Sequence, residues 1–367
     1  MDEHTSHVDD VFRLLTSQYV HILAVTRGRC TGNFIEITPA PSLLGRSEQA
    51  ALDLDDSGIS HRHCIVSLAD GEALVSDLGS SNGTWIDGVR MKEDRSLPVG
   101  SRMQIGNTLL CHELRSREDL QLEQRRREEL DRAVSYVQSL LPQRIRLGKV
   151  RSDWSFVPSA RLGGDAFGYH YINEDCFAVY FLDVCGHGQD AALHSVSLLN
   201  VLRRHGMPGI DFTQPDEVLA SLNQAFPMDA HGNMYFTIWY GLYRPASRTL
   251  TWSSAGHPPA LLVPALGGRG RPLKMESFPA GMIEDACYRS TDVSVPPGSH
   301  LFLYSDGAFD FVTKEGPRFS HPELLDLLGS TMGAGSGEVQ RVERELRTRL
   351  AADAFEDDFS LLMLEFD

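Results

Sequence analysis

Cysteine is scarce in this chain: there are six in 367 residues, at positions 30, 64, 111, 176, 185 and 287, and no two stand in C-x-x-C spacing. Several lie inside apolar runs such as Cys176-Phe177-Ala178-Val179-Tyr180. They read as reduced core thiols of a cytoplasmic protein, not as a disulfide framework. Positive charge is also short. Thirty-four Lys and Arg against 50 Asp and Glu leave a formal charge of -16. Nucleic acids and anionic membranes recruit partners through a basic field, so neither is expected as a partner. No apolar stretch approaches the length of a membrane span, and Met1 to Asp10 lacks an apolar h-region. There is no P-loop, no H-E-x-x-H and no G-x-S-x-G. Gly333-Ala334-Gly335-Ser336-Gly337 has no preceding strand to make it a dinucleotide site, and it reads with Gly267-Gly268-Arg269-Gly270 as loop.

What the chain does have is a recurrence of aspartates where apolar runs or Gly-rich turns end. The strings are Gly163-Gly164-Asp165, Asp183-Val184-Cys185-Gly186-His187-Gly188, Tyr304-Ser305-Asp306-Gly307 and Asp357-Asp358-Phe359-Ser360. Carboxylates at strand ends can converge across a sheet although far apart in sequence, and oxygen ligands suit hard divalent ions. Taken singly, each is an ordinary turn or cap aspartate.

In this order, and with Ser139-Leu140-Leu141-Pro142 and Ser254-Ala255-Gly256-His257-Pro258-Pro259, the strings resemble the PPM-type metal-dependent serine/threonine phosphatases, in the bacterial SpoIIE/RsbU branch. The likeness runs from about Leu140 to Asp367. It implies a four-layer α-β-β-α sandwich holding two Mn²⁺ or Mg²⁺ ions. Asp183 would bridge them, the Val184 carbonyl would be an added ligand, Asp306 and Asp357 would complete the second metal, and Asp165 would serve the first. Asp358 reads as a cap beside the ligand Asp357. His187 is expected to protonate the leaving oxygen or to brace its loop, and His257 to fix a turn. Where many relatives carry a further acid this chain has Gly168, and no arginine clamp stands out, Arg161 being the candidate. The substrate implied is a phosphorylated regulatory protein, such as an anti-sigma antagonist. The competing expectation is a degenerate phosphatase fold acting as a phosphopeptide adaptor.

Upstream, His21 to Glu113 alternates short β-type runs with Asn-Gly and Asp-Gly punctuation, the pattern of an all-β sandwich. Leu44-Gly45-Arg46, Ser60-His61-Arg62-His63 and Ser80-Ser81-Asn82-Gly83-Thr84 resemble the forkhead-associated (FHA) domain, which binds phosphothreonine. The resemblance puts Arg46, Ser60 and Ser81 on phosphate, Asn82 on the ligand backbone and His63 in a bracing role. Ser116 to Leu141 is rich in Arg, Glu and Gln, lacks Gly and Pro, and stops at Pro142, which predicts a helix. Spacing through Leu120, Leu130, Val134, Val137 and Leu141, interrupted by Glu123 and Arg127, suggests a coiled-coil connector forming a homodimer. The expected organisation is an extension over 1–20, the FHA-like domain over 21–115, the helical connector over 116–141 and the phosphatase-like domain over 142–367.

Overall fold

The computed structural model describes residues 18–47, 49–186, 188–265, 270–330, 337–352 and 354–367. Most of the expected N-terminal extension, His187 and most of both glycine-rich loops lie outside the described residues. The chain divides into two compact units, Met1–Glu129 and Leu130–Asp367.

Among the described residues up to Ser116, the first unit is built of β-strands. One sheet orders Phe34–Glu36, Tyr19–Arg27, Thr108–Ser116, Arg102–Ile105, Thr84–Ile86 and Val89–Arg90. The other orders Leu52–Asp53, Ser42–Gly45, Cys64–Ala69, Glu72–Asp77 and Arg95–Leu97. Alternate residues of both sheets, among them Leu23, Leu44, Val66, Val75, Met103 and Leu110, form one dry core. Each such side chain contributes about 1.5–3 kcal/mol on burial.

A helix, Arg117–Ser139, follows the last strand directly and has no fully buried residue. At its start Leu120 packs on Val20, Ile22 and Ala24 of the first unit. Just past its end Leu140 and Leu141 pack into cores of the second unit.

The second unit is built in four layers. One sheet orders Ala166–Asn173, Cys176–Val184, Phe236–Arg244, Thr249–Ala255 and Thr291–Ser294. The other orders Val150–Val157, Phe359–Phe366, Ser299–Tyr304, Ala260–Val263 and Arg271–Leu273. Helices Gln189–Arg204 and Pro215–Ala225 cover the first, and His321–Ser330 and Glu338–Arg349 cover the second.

This layering explains why the Cys176–Val184 strand is apolar at nearly every position: both its faces are covered. Ala178, Tyr180, Leu182 and Val184 face the helices, and Phe177, Val179 and Phe181 face the opposite sheet. Asp183 shares the second parity, so it is aimed into the space between the sheets. Asp165 continues the parity of Phe167 and Tyr169 into the same layer, and Ser305 and Ser360 continue that of Leu303 and Leu362. Strand periodicity thus gathers polar groups at one end of the inter-sheet layer.

Candidate active site

Asp165 is only 2% exposed, and neither carboxylate oxygen has a hydrogen-bond partner. Burial first, then the facing charges of Asp183 and Asp358, raise its pKa well above the ordinary carboxylate range. Ser305 and Ser360 lie close enough to ease its charge, yet neither completes a hydrogen bond with it; the Ser305 hydroxyl donates instead to the Asp358 carbonyl at 2.8 Å. Asp183 is raised in the same way by burial and by Asp306, Asp357 and Asp358. Burial and Asp357 raise Asp306. Among the described residues, no Lys or Arg forms an ion pair with any of these five acids.

A buried carboxylate with no donor and no cation is costly, and a divalent ion supplies what these groups lack. The oxygen donor set therefore fits Mn²⁺ or Mg²⁺. Among the described residues no three acidic, histidine or cysteine side chains are already closed around a single point, an approach that mutual repulsion opposes.

The two adjacent aspartates of the last string separate clearly. Asp357 is exposed and, among the described residues, accepts only the Asp358 N–H, at 2.8 Å. Asp358 is buried, and it accepts the Ser159 N–H and hydroxyl at 2.7 and 2.9 Å and the Gly164 N–H at 2.7 Å. It therefore staples the loop that carries Asp165. The glycines are needed there: a Cβ at 163 would sit 2.2 Å from the Asp358 carboxylate, and one at 164 would sit 2.6 Å from the Val184 carbonyl. Replacing Asp358 with Ala strands buried donors and is expected to cost about 3 kcal/mol or more. Melting of the second unit should fall by roughly 6–12 °C. Asp357→Ala should leave melting within about 2 °C, because the side chain is exposed. Thermal denaturation of the two variants checks the pair.

Gly168 pairs across the ladder with Tyr180, and a Cβ there would lie 2.5 Å from the tyrosine ring. Arg161 pairs with Asp131 of the helix at 2.9 Å. His257 is buried with Nδ1 2.9 Å from the Thr237 hydroxyl, and burial lowers its pKa to about 3, so it is neutral at working pH.

In the first unit, the Arg46 N–H donates to the Ser60 carbonyl at 3.0 Å. The Ser60 and Ser81 hydroxyls lie 3.5 Å apart, and the Ser81 N–H donates to the Ser60 hydroxyl at 3.2 Å. Asn82 donates to the Gly58 carbonyl at 2.8 Å, tying its own loop to the loop before Ser60. Beneath them, fully buried His63 accepts the Ser60 N–H at 3.2 Å and reaches the Gly83 carbonyl at 3.3 Å. Asp77 braces the 79–84 turn. Burial opposes its charge, but hydrogen bonds from Ser80, Thr84 and Gly79 hold its pKa down at about 2. Among the described residues Arg46, an exposed side chain, pairs with no carboxylate.

Residues 173–367, just over half of the chain, match the family model described as Stage II sporulation protein E (SpoIIE). The chain belongs to the SpoIIE family. Residues 43–106 match the FHA domain model, which places an FHA domain ahead of the SpoIIE-family domain. Phosphoserine phosphatase RsbP of Bacillus subtilis (strain 168) is 32% identical over 186 residues, covering 50% of this chain and 45% of that protein. Phosphoserine phosphatase RsbU of the same organism is 26% identical over 211 residues, covering 57% of this chain and 61% of that protein. The chain thus spans about half the length of these curated relatives. The solved SiaA-PP2C domain of Pseudomonas aeruginosa superposes with a TM-score of 0.59 at 20% identity, over 67% of this chain and 99% of that one, which shows the shared fold.

The sequence offered Asp358 only as a cap and did not reveal the staple it forms, because its partners Ser159 and Gly164 lie nearly two hundred residues away. Among the described residues no helix is long and apolar enough to cross a membrane.

Proposed function

We propose that the chain is a cytoplasmic, metal-dependent protein phosphatase that hydrolyses phosphoserine or phosphothreonine on a regulatory protein, an anti-sigma antagonist being one such class. Its FHA domain would target or regulate it through a phosphothreonine segment. The observation that carries the reading is Asp165: a fully buried carboxylate without a donor, facing Asp183 at the ends of two paired strands of a SpoIIE-family domain. The names of the similar Bacillus proteins support it.

In this reading Asp183 and Asp165, with the Val184 carbonyl, would hold one ion, and Asp183, Asp306 and Asp357 would hold the other. Two such ions, when bound, activate water and neutralise charge on the transferring phosphoryl group. Asp358 positions the Asp165 loop through its three hydrogen bonds. The test is hydrolysis of p-nitrophenyl phosphate and of a phosphoserine peptide, present with Mn²⁺ and abolished by EDTA. A chain that leaves both intact while binding phosphopeptide is the adaptor instead.

For the FHA domain, Arg46, which pairs with no carboxylate among the described residues, and the Ser60 and Ser81 hydroxyls on neighbouring loops would offer charge-assisted and neutral hydrogen bonds to phosphate. Arg46→Ala should weaken binding of a phosphothreonine peptide by roughly 10- to 100-fold. Calorimetric titration checks this, and unchanged affinity would refute the phosphate role. Leu130, Val134 and Val137, half-buried on one side of the connector helix, are proposed as the seam for a second copy. Sedimentation of the full chain distinguishes a dimer from a monomer.

A further inference from the structure

Immediately beyond the Asp183 strand lies an open pocket of about 560 Å³. Cys185 and Gly186 form one wall, Leu193 of the Gln189–Arg204 helix another, and His231 and Met234 a third, with His194 among its lining residues. The helix buries Ala191, Ala192, Val196, Leu198, Leu199 and Leu202, yet it leaves Leu193 66% exposed at this pocket. His194 is only 6% exposed, and its Nε2 has no hydrogen-bond partner. Its ring packs against His231 and Phe226 at 5.1 and 5.6 Å. Burial, and secondarily His231, lower its pKa and so favour the uncharged ring. Among the described residues that line it, Asp190 carries the one formal charge.

We propose that this pocket is the specificity site for the phosphorylated segment, accepting an aliphatic side chain two or three residues from the phosphorylated one and disfavouring an acidic side chain there. The inference rests on the phosphatase reading, from which it takes the position of the reacting phosphate at Asp183. Cys185 follows Asp183 by two residues, or about 7 Å of extended chain, and an extended substrate covers the same span in two residues. The volume exceeds that of one aliphatic side chain. Leu193 and Met234 supply apolar contact, Asp190 repels an acidic flank, and the unpaired His194 nitrogen leaves one polar group for the substrate backbone.

The test uses the full chain with Mn²⁺ and three synthetic phosphoserine peptides that carry Leu, Gly or Asp at the second and third residues from the phosphoserine. p-Nitrophenyl phosphate, which has no flank, reports on the reacting site alone. The Leu peptide should exceed the Gly peptide by about tenfold or more in kcat/KM, with the Asp peptide lowest. Leu193→Ser, a change at an exposed position, should erase most of that preference through KM while aryl phosphate turnover changes less than about twofold. Fluorescence anisotropy of the labelled peptides on Asp183→Asn chain should give the same ranking without turnover. Equal rates and affinities for the three peptides, or a preference that survives Leu193→Ser, would overturn the pocket's role. No aryl phosphate hydrolysis, with the anisotropy ranking intact, would instead overturn the phosphatase reading and leave the pocket standing.

Discussion

Asp183→Asn is expected to lower Mn²⁺-dependent hydrolysis of p-nitrophenyl phosphate by about a thousandfold or more, and at the same time to raise the melting temperature of the metal-free chain. The first effect follows from its place. Asp183 feels the charges of Asp306 and Asp357 and itself acts on Asp165, so a neutral amide would remove the shared anionic ligand of both proposed ions. The second follows from its cost. Burial and three neighbouring carboxylates raise its pKa in the folded chain, so its ionised form opposes folding near neutral pH. An amide carries no such penalty. Loss of activity with a fall in melting temperature would mean that the side chain is structural, and unchanged activity would dismiss the two-ion arrangement.

The second large effect is the response of stability to a divalent ion and to pH. Burial and neighbouring carboxylates raise the folded pKa values of Asp165, Asp183 and Asp306 above that of an ordinary aspartate. For groups shifted in this direction, the stabilising contribution is complete below the unfolded pKa and is lost as pH rises through the folded values. Without metal, the second unit should therefore lose stability between about pH 4 and neutrality, against the usual trend for paired carboxylates. Mn²⁺ at about a hundred times its dissociation constant should restore about 2.7 kcal/mol at pH 7.5. For a unit of this size that is roughly 5–10 °C of melting temperature. At pH 4 the acids hold their protons and the ion should shift melting little. A calorimetric scan with and without Mn²⁺ at both values measures the difference. An equal shift at pH 4 and 7.5 would place the ion away from these aspartates.

Much of the second unit was legible because its strands are covered on both faces. The run ending at Val184 and those before Ser305 and after Asp358 are apolar nearly throughout, and once their ends are fixed, alternation decides which aspartate points between the sheets. Gln189 to His205 and Gly337 to Ala352 likewise read as helical in the sequence, and helices Gln189–Arg204 and Glu338–Arg349 lie there. Helices Pro215–Ala225 and His321–Ser330 were not expected. Both are short and begin at or next to a proline, which reads as a break, although Pro215 stands at a helix start and acids follow in its first turn. Val218, Leu219 and Leu222, and Leu324, Leu327 and Leu328, carry the buried faces that could have revealed them. The FHA loops were legible as motifs, since Arg46, Ser60 and Ser81 stand in short local words. The pocket was not. His194 and His231 belong to different elements, and only the tertiary fold brings their rings together.

The contact between Gly168 and Tyr180 also constrains how this lineage can change. A Cβ at 168 would meet the outer end of the Tyr180 ring at 2.5 Å, so a side chain there requires the tyrosine to shift or to be replaced by a smaller residue. A smaller residue at 180 alone, leaving a hole beside a glycine in a fully covered strand, is itself destabilising. Residues 168 and 180 are therefore coupled by sterics: a change at either one alters what the other position can hold.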